Sequence, residues 1–183
     1  MFDPTAFENM KVVLEGLIYD RDFDGTILVT NRCESIDLSR LSRSFQMEMK
    51  IRENSPGQNS TIKCLITLTA SLENLSAELL KSQNEALAGC QVETSYHLSV
   101  KKEAEPYISS LFHTLSNIWG ENREIEIREQ LIYNSPYQFK REIEARVLFG
   151  RLVTEDQIPD FRGLVDHSIS SIKQLKEFYS SNT

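Results

Sequence analysis

The sequence predicts an α+β fold, a two-layer sandwich in which a mostly antiparallel sheet of about six strands carries helices on one face. Three observations predict it. The strand-like segments alternate apolar and polar residues, so each has one buried and one solvated face. Strands of a parallel sheet covered on both sides would instead read as continuous apolar runs. Other segments repeat their apolar residues every three to four positions and supply a covering layer of helices. Finally, no stretch rich in Pro, Gly or Ser divides the 183 residues, a length that suits one domain. The reading is a single domain over residues 1–183, with a frayed tail at 180–183, in the order αβββαβαββα.

The elements follow in turn. Asp3-Pro4 is a helix start, an N-cap acid followed by proline at the first helical position. Phe7, Met10, Leu14, Leu17 and Ile18 then share one helical face. Thr26 to Thr30 reads as a strand. Residues 32–44 are ambiguous between a helix, an extra strand and a mobile loop, with Ser35 to Arg43 open to a short helix or an irregular crossover. Phe45, Met47, Met49 and Ile51 alternate with charged and polar residues as a strand. Asn54 to Gly57 is a turn signal, and Ile62, Cys64, Ile66 and Leu68 form the partner strand. Ser71 caps a second helix with Leu72, Leu75, Leu79 and Leu80 on its apolar face, and Gly89 is read as its stop.

Val92 to Val100 alternates as a further strand. Glu103 to Trp119 is the clearest amphipathic helix, with Ile108, Leu111, Phe112, Leu115, Ile118 and Trp119 inward and Gly120 ending it. Ile125 and Ile127, then Ile143, Ala145 and Val147 across the turn Asn134-Ser135-Pro136, complete the strands. Asp160 opens the last helix, with Phe161, Val165, Ile169, Ile172, Leu175 and Tyr179 facing the sheet.

Composition narrows the function. Twenty basic against 27 acidic residues give a net charge of −7. Such a balance argues against a dedicated nucleic-acid binder and against docking on an anionic membrane, since both need concentrated cations. No targeting or membrane-spanning segment is expected: MFDPTAFENM is acidic where a signal peptide is basic. Three widely spaced cysteines, Cys33, Cys64 and Cys90, predict reduced thiols in a cytoplasmic protein rather than a disulfide framework or zinc ribbon. Only seven glycines, and no glycine-rich fingerprint, weigh against a classical nucleotide-binding loop.

One motif stands out. Asp20, Asp22 and Asp24 alternate before Gly25, as in the opening half of an EF-hand loop. The second half fails, because the position that needs a bidentate Glu is Asn31 and the residues between read as strand. The three aspartates are candidate metal ligands of unknown metal, weighed against a polar turn that caps backbone amides. The histidines His97, His113 and His167 are read as surface residues. Glu93 and His97 share a strand face but stand about 13 Å apart, too far for a dyad. Glu124, Glu126, Glu142 and Glu144 alternate with Arg128 and Arg146, which predicts ion-paired hairpin strands rather than a pair of catalytic acids. Glu48, Lys50, Arg52, Lys63, Glu93 and His97 continue this mixed-charge open face across the sheet.

The sequence holds no catalytic constellation and calls for no cofactor. It predicts a cytoplasmic binding or adaptor protein, chaperone-like in character. The expected partner is another protein, or a second copy in a homodimer, ahead of a small molecule. Nucleic acid and membrane are not expected as partners. The alternative is a small-molecule binder or enzyme with a pocket between sheet and helices, drawing on Tyr96, His97, His113 or Trp119.

Overall fold

The chain was analysed as a computed structural model, which describes residues 6–53, 62–80, 87–100, 105–135 and 138–181. The elements run α1 (Ala6–Phe23), β1 (Ile27–Asp37), β2 (Ser42–Ile51), β3 (Lys63–Ala70), α2 (Leu72–Leu79), β4 (Cys90–Val100), α3 (Glu105–Trp119), β5 (Glu124–Ser135), β6 (Gln138–Val153) and, after a 3-10 turn at Glu155–Asp160, α4 (Phe161–Ser181). This is the predicted order. All six strands join one antiparallel sheet in the order β1-β2-β3-β4-β6-β5. The expected starting cap Asp3-Pro4, the turn at 54–57, Pro136 and the last two tail residues lie outside the described residues.

One sheet face supplies Phe45, Met47, Met49, Cys64, Ile66, Leu68, Tyr96, Leu98, Ile143, Ala145 and Val147 to a continuous core. Against it lie Phe7, Met10, Leu14 and Ile18 of α1, Leu111 and Leu115 of α3, and Phe161, Val165, Ile172 and Leu175 of α4, all buried. Full burial of side chains this size stabilises by roughly 1.5–3 kcal/mol each, so this interface dominates the energetics. Arg21 of α1 and Asp166 of α4, 2.6 Å apart, tie the helices along their outer edge. Among the described residues no helix is long and apolar enough to cross a membrane.

Three local readings are resolved or corrected by the structure. First, of the helix, extra strand and mobile loop left open for residues 32–44, the strand is found: β1 runs to Asp37 and turns directly into β2. The pattern misleads because a bulge between Val29 and Asn31 shifts the alternation by one residue. Ile27 and Val29 pair with the helix-facing Ile51 and Met49, but beyond the bulge Arg32 pairs with Met47 and Glu34 with Phe45. The turn after Asp37 is set by its side chain, which accepts from the backbone N–H groups of Ser39 and Arg40 at 2.8 and 3.1 Å.

Second, α2 is capped by Ser71 as predicted, in a reciprocal box with Asn74. Leu75 packs against the core as predicted, but its buried companions are Asn74 and Ala77, while Leu72, Leu79 and Leu80 are exposed. Third, Gly89 does not stop α2. It sits against β6, where a Cβ would fall 2.5 Å from the Val153 carbonyl oxygen. Gly120, by contrast, ends α3 in the left-handed region at φ +89°.

Candidate functional site

The candidate site begins with an irregularity in β6. Gln91 of β4 pairs with Leu152 and Glu93 with Leu148, so Phe149, Gly150 and Arg151 stand opposite Val92 alone. Gly150 takes φ +67°, a conformation in which a side chain would be strained. Bulges of this kind re-aim side chains. Here Phe149 and Arg151 line a cleft where the sheet, the end of α3 and the start of α4 meet. β5 pairs no further along β6 than Leu148. Arg123, one residue before β5, donates to the Phe149 carbonyl at 3.3 Å and lays its guanidinium 4.4 Å from the Phe149 ring centroid.

Trp119, the last residue of α3, forms one wall. Its ring meets Phe149 edge-on at 5.8 Å and His167 at 4.5 Å between centroids. Its Nε1–H donates 3.2 Å to the Tyr96 hydroxyl, which lies in the core under α4. His167 Nε2 lies 3.0 Å from the Ile118 carbonyl oxygen. A carbonyl only accepts, so Nε2 carries the hydrogen and the ring is held upright against the indole. Val92, Val153, Phe161 and Leu164 supply further apolar surface, and Gln157 and Asp160 join the two arginines as polar groups. The cleft volume is about 340 Å³, at the small end of the range of about 300–1,000 Å³ for ligand sites.

Tyr96 and Trp119 are thus brought together, as the pocket alternative requires. His97 and His113 are not. His97 lies on the opposite face of β4, with Nε2 3.3 Å from Ser95 Oγ. His113 is on the exposed side of α3, edge-on to Phe112. His167 is the residue missed: the sequence reads it as polar surface, yet it is half-buried in the cleft wall. Its only sequence signal is its place between Leu164 and Ser171, which flank the buried stripe of α4.

The open face of the sheet holds a larger groove, about 660 Å³, lined by Glu48, Lys63, His97, Arg128, Glu142 and Glu144 among others. Its charges are matched: Lys63 pairs with Glu48 across strands at 2.8 Å, and Lys140 lies 2.5 Å from Glu142 along β6. Elsewhere on the same face Arg146 forks onto Glu93 while reaching Glu126 at 2.8 Å. The Glu93 bond raises the Arg146 pKa further, so the guanidinium stays charged. Ser95 and His97 do not make a nucleophilic pair. Ser95 is buried, and the strand amides around it are spent in the ladder, leaving none to hold an oxyanion.

Two aspartates of the acidic turn have structural partners for their side chains. Asp22 accepts from Arg52 at 2.6 Å. Asp24 accepts from the Thr26 backbone at 2.9 Å, and its bonds to Thr26 hold its carboxyl below the usual range. Asp20, Asp22 and Asp24 do not converge as a set of three metal donors among the described residues. Burial pushes the Cys64 thiol up and the Cys90 thiol up to about 12, so both are neutral thiols at physiological pH. No protein-family model, curated protein or solved structure matches this chain.

Proposed function

We propose that the protein is a binding protein and that the cleft between α3, α4 and the bulge of β6 receives a small, largely apolar ligand. The observation that carries this reading is the convergence of Trp119, Phe149 and His167 around a cleft whose floor is pinned to the core through Tyr96. Aromatic walls with a few fixed polar groups are the usual composition of a ligand pocket. The reading requires no catalysis, and no cofactor enters it.

Native mass spectrometry of the protein as purified from cells tests it. A retained mass above the bare chain, lost when Leu164→Trp fills the cleft, is the expected result. A bare chain whose Trp119 emission is indifferent to small aromatic compounds would overturn the reading. Trp119 is the only tryptophan, so its emission reports on the cleft alone.

A second reading keeps the protein as a cytoplasmic adaptor or chaperone-like module that binds a protein partner or forms a homodimer. It is favoured by the far end of the β5–β6 hairpin, where Leu131, Tyr133 and Phe139 are 41%, 63% and 54% exposed on the sheet's outer edge. The free cysteines support its reducing compartment. Sedimentation equilibrium of the wild type and Tyr133→Glu separates the readings: self-association lost in the variant supports the second.

A further inference from the structure

We infer that the cleft takes a ligand with a flat aromatic ring and a carboxylate, with Arg151 and Arg123 as its anion anchor. This rests on the cleft being the binding site and names the class of ligand. Guanidinium groups elsewhere in the sheet are matched to acids: Arg32 to Glu15, Arg43 to Glu8 and Glu34, Arg146 to Glu93 and Glu126. The two in the cleft make no ion pair among the described residues. Arg151 spends one N–H on the neutral side-chain oxygen of Gln157 at 2.8 Å, and Arg123 spends one on the Phe149 carbonyl. Most of the five donors of each fork are left for another acceptor.

The unpaired state is not forced by a shortage of acids. The chain carries 27 acidic residues against 20 basic, and Asp160 lines the same cleft without a salt bridge to either arginine. Two arginines against that one aspartate leave the cleft locally cationic within an anionic protein. An anion is therefore drawn to this spot rather than to the groove on the other face, where the charges are already matched. The Trp119 and Phe149 rings meet edge-on, 5.8 Å between centroids, and form a continuous aromatic wall with Arg123 behind Phe149; a flat ring makes the most contact with such a wall. An aromatic acid satisfies both demands together: its carboxylate meets the guanidinium fork, and its ring lies against the aromatic wall.

Phenylacetate and its neutral counterpart phenylacetamide test this, read by calorimetry and by Trp119 emission on the full-length chain. The expected result is phenylacetate binding about tenfold or more tighter, a difference of about 1.4 kcal/mol. Arg151→Gln and Arg123→Gln should each reduce the ratio of phenylacetate to phenylacetamide affinity, and phenylacetamide that still binds shows the cleft intact in the variants. Equal affinity for the two compounds would overturn the anion anchor and leave the cleft standing as an apolar site. A preference that survives in the double variant would overturn the assignment to these arginines. Failure of both compounds to bind or to alter Trp119 emission would remove the cleft reading itself, and this inference with it.

Discussion

Trp119 and Tyr96 are joined by a hydrogen bond of 3.2 Å from the indole N–H to the phenol oxygen, linking the end of α3 to the middle of β4. Tyr96 has no solvent exposure, and burial raises its pKa well above the usual value, so the hydroxyl stays protonated. It accepts from the indole, under the α4 face that carries the buried Ser168 and Ser171.

Tyr96→Phe should therefore destabilise the fold by about 1–3 kcal/mol, the cost of a buried donor left without its acceptor. The denaturant midpoint should fall with an unchanged slope, because the buried area hardly changes. Trp119 emission should shift as the ring loses its anchor, which a uniform loss of stability would not cause.

Why the sequence names Tyr96 and Trp119 among four pocket candidates, with His97 and His113, and passes over His167 follows from what periodicity can encode. The sheet and its helical cover were readable because Phe45 to Ile51, Ile62 to Leu68 and Ile143 to Val147 alternate without interruption, and α4 keeps its stripe from Phe161 to Leu175. Two bulges break that logic. The one after Val29 turns Arg32 and Glu34 toward α1, where Glu15 receives Arg32 and Lys11, together with Arg43 of β2, receives Glu34, so a strand reads as irregular chain. The one at Phe149 to Arg151 shapes the cleft, and a bulge has no composition beyond a glycine that also fits a turn. His167 is amphipathic enough to satisfy either face of a helix, so only the arrival of Trp119 assigns it.

Gly89 and Gly16 should respond to alanine in opposite directions. At Gly89 a Cβ would stand 2.5 Å from the Val153 carbonyl oxygen and 3.1 Å from its carbon, both backbone atoms that cannot rotate aside. Gly89→Ala should cost about 1–3 kcal/mol through strand displacement. Gly16 lies within α1 with nothing inside 4 Å of the added atom. There Gly16→Ala should stabilise by about 0.5–1 kcal/mol, because alanine has the higher helix propensity. Thermal unfolding of both variants checks the sign at each position.

The acid side of the stability curve should depend on Glu8 and Glu34. Lys11 and then Arg43 hold the Glu8 carboxyl below its ordinary value. Burial opposes the same shift in Glu34, but the bonds from Arg43 and Lys11 outweigh it and its pKa is also lowered. A folded pKa below the unfolded one means that the stabilisation is full above the unfolded value of 4.5 and is lost as pH falls through the folded values. Glu8→Gln/Glu34→Gln should lower stability at neutral pH by an amount on the order of 1 kcal/mol, and should flatten the loss between neutral pH and acid. Urea midpoints measured across that range decide it; parallel curves for variant and wild type would refute the linkage.

Glu78 of α2 carries the opposite sign. Burial raises its pKa, and the backbone N–H groups of Phe7 and Ala6 at the start of α1 only partly offset that. Both carboxyl oxygens are out of water and without a hydrogen bond of good geometry. For a carboxyl whose folded pKa lies above the unfolded value, its stabilising effect is complete below the unfolded value and disappears as pH rises through the folded one. At neutral pH the charged form is thus a liability, which a neutral amide of the same shape avoids while keeping an oxygen for the α1 amides. Glu78→Gln should stabilise the protein at pH 7 and lose that advantage in acid, where the wild-type carboxyl is protonated. Two denaturation midpoints per protein, one at each pH, give the answer. A variant less stable at pH 7 would show that the ionised carboxylate is needed to cap α1 after all.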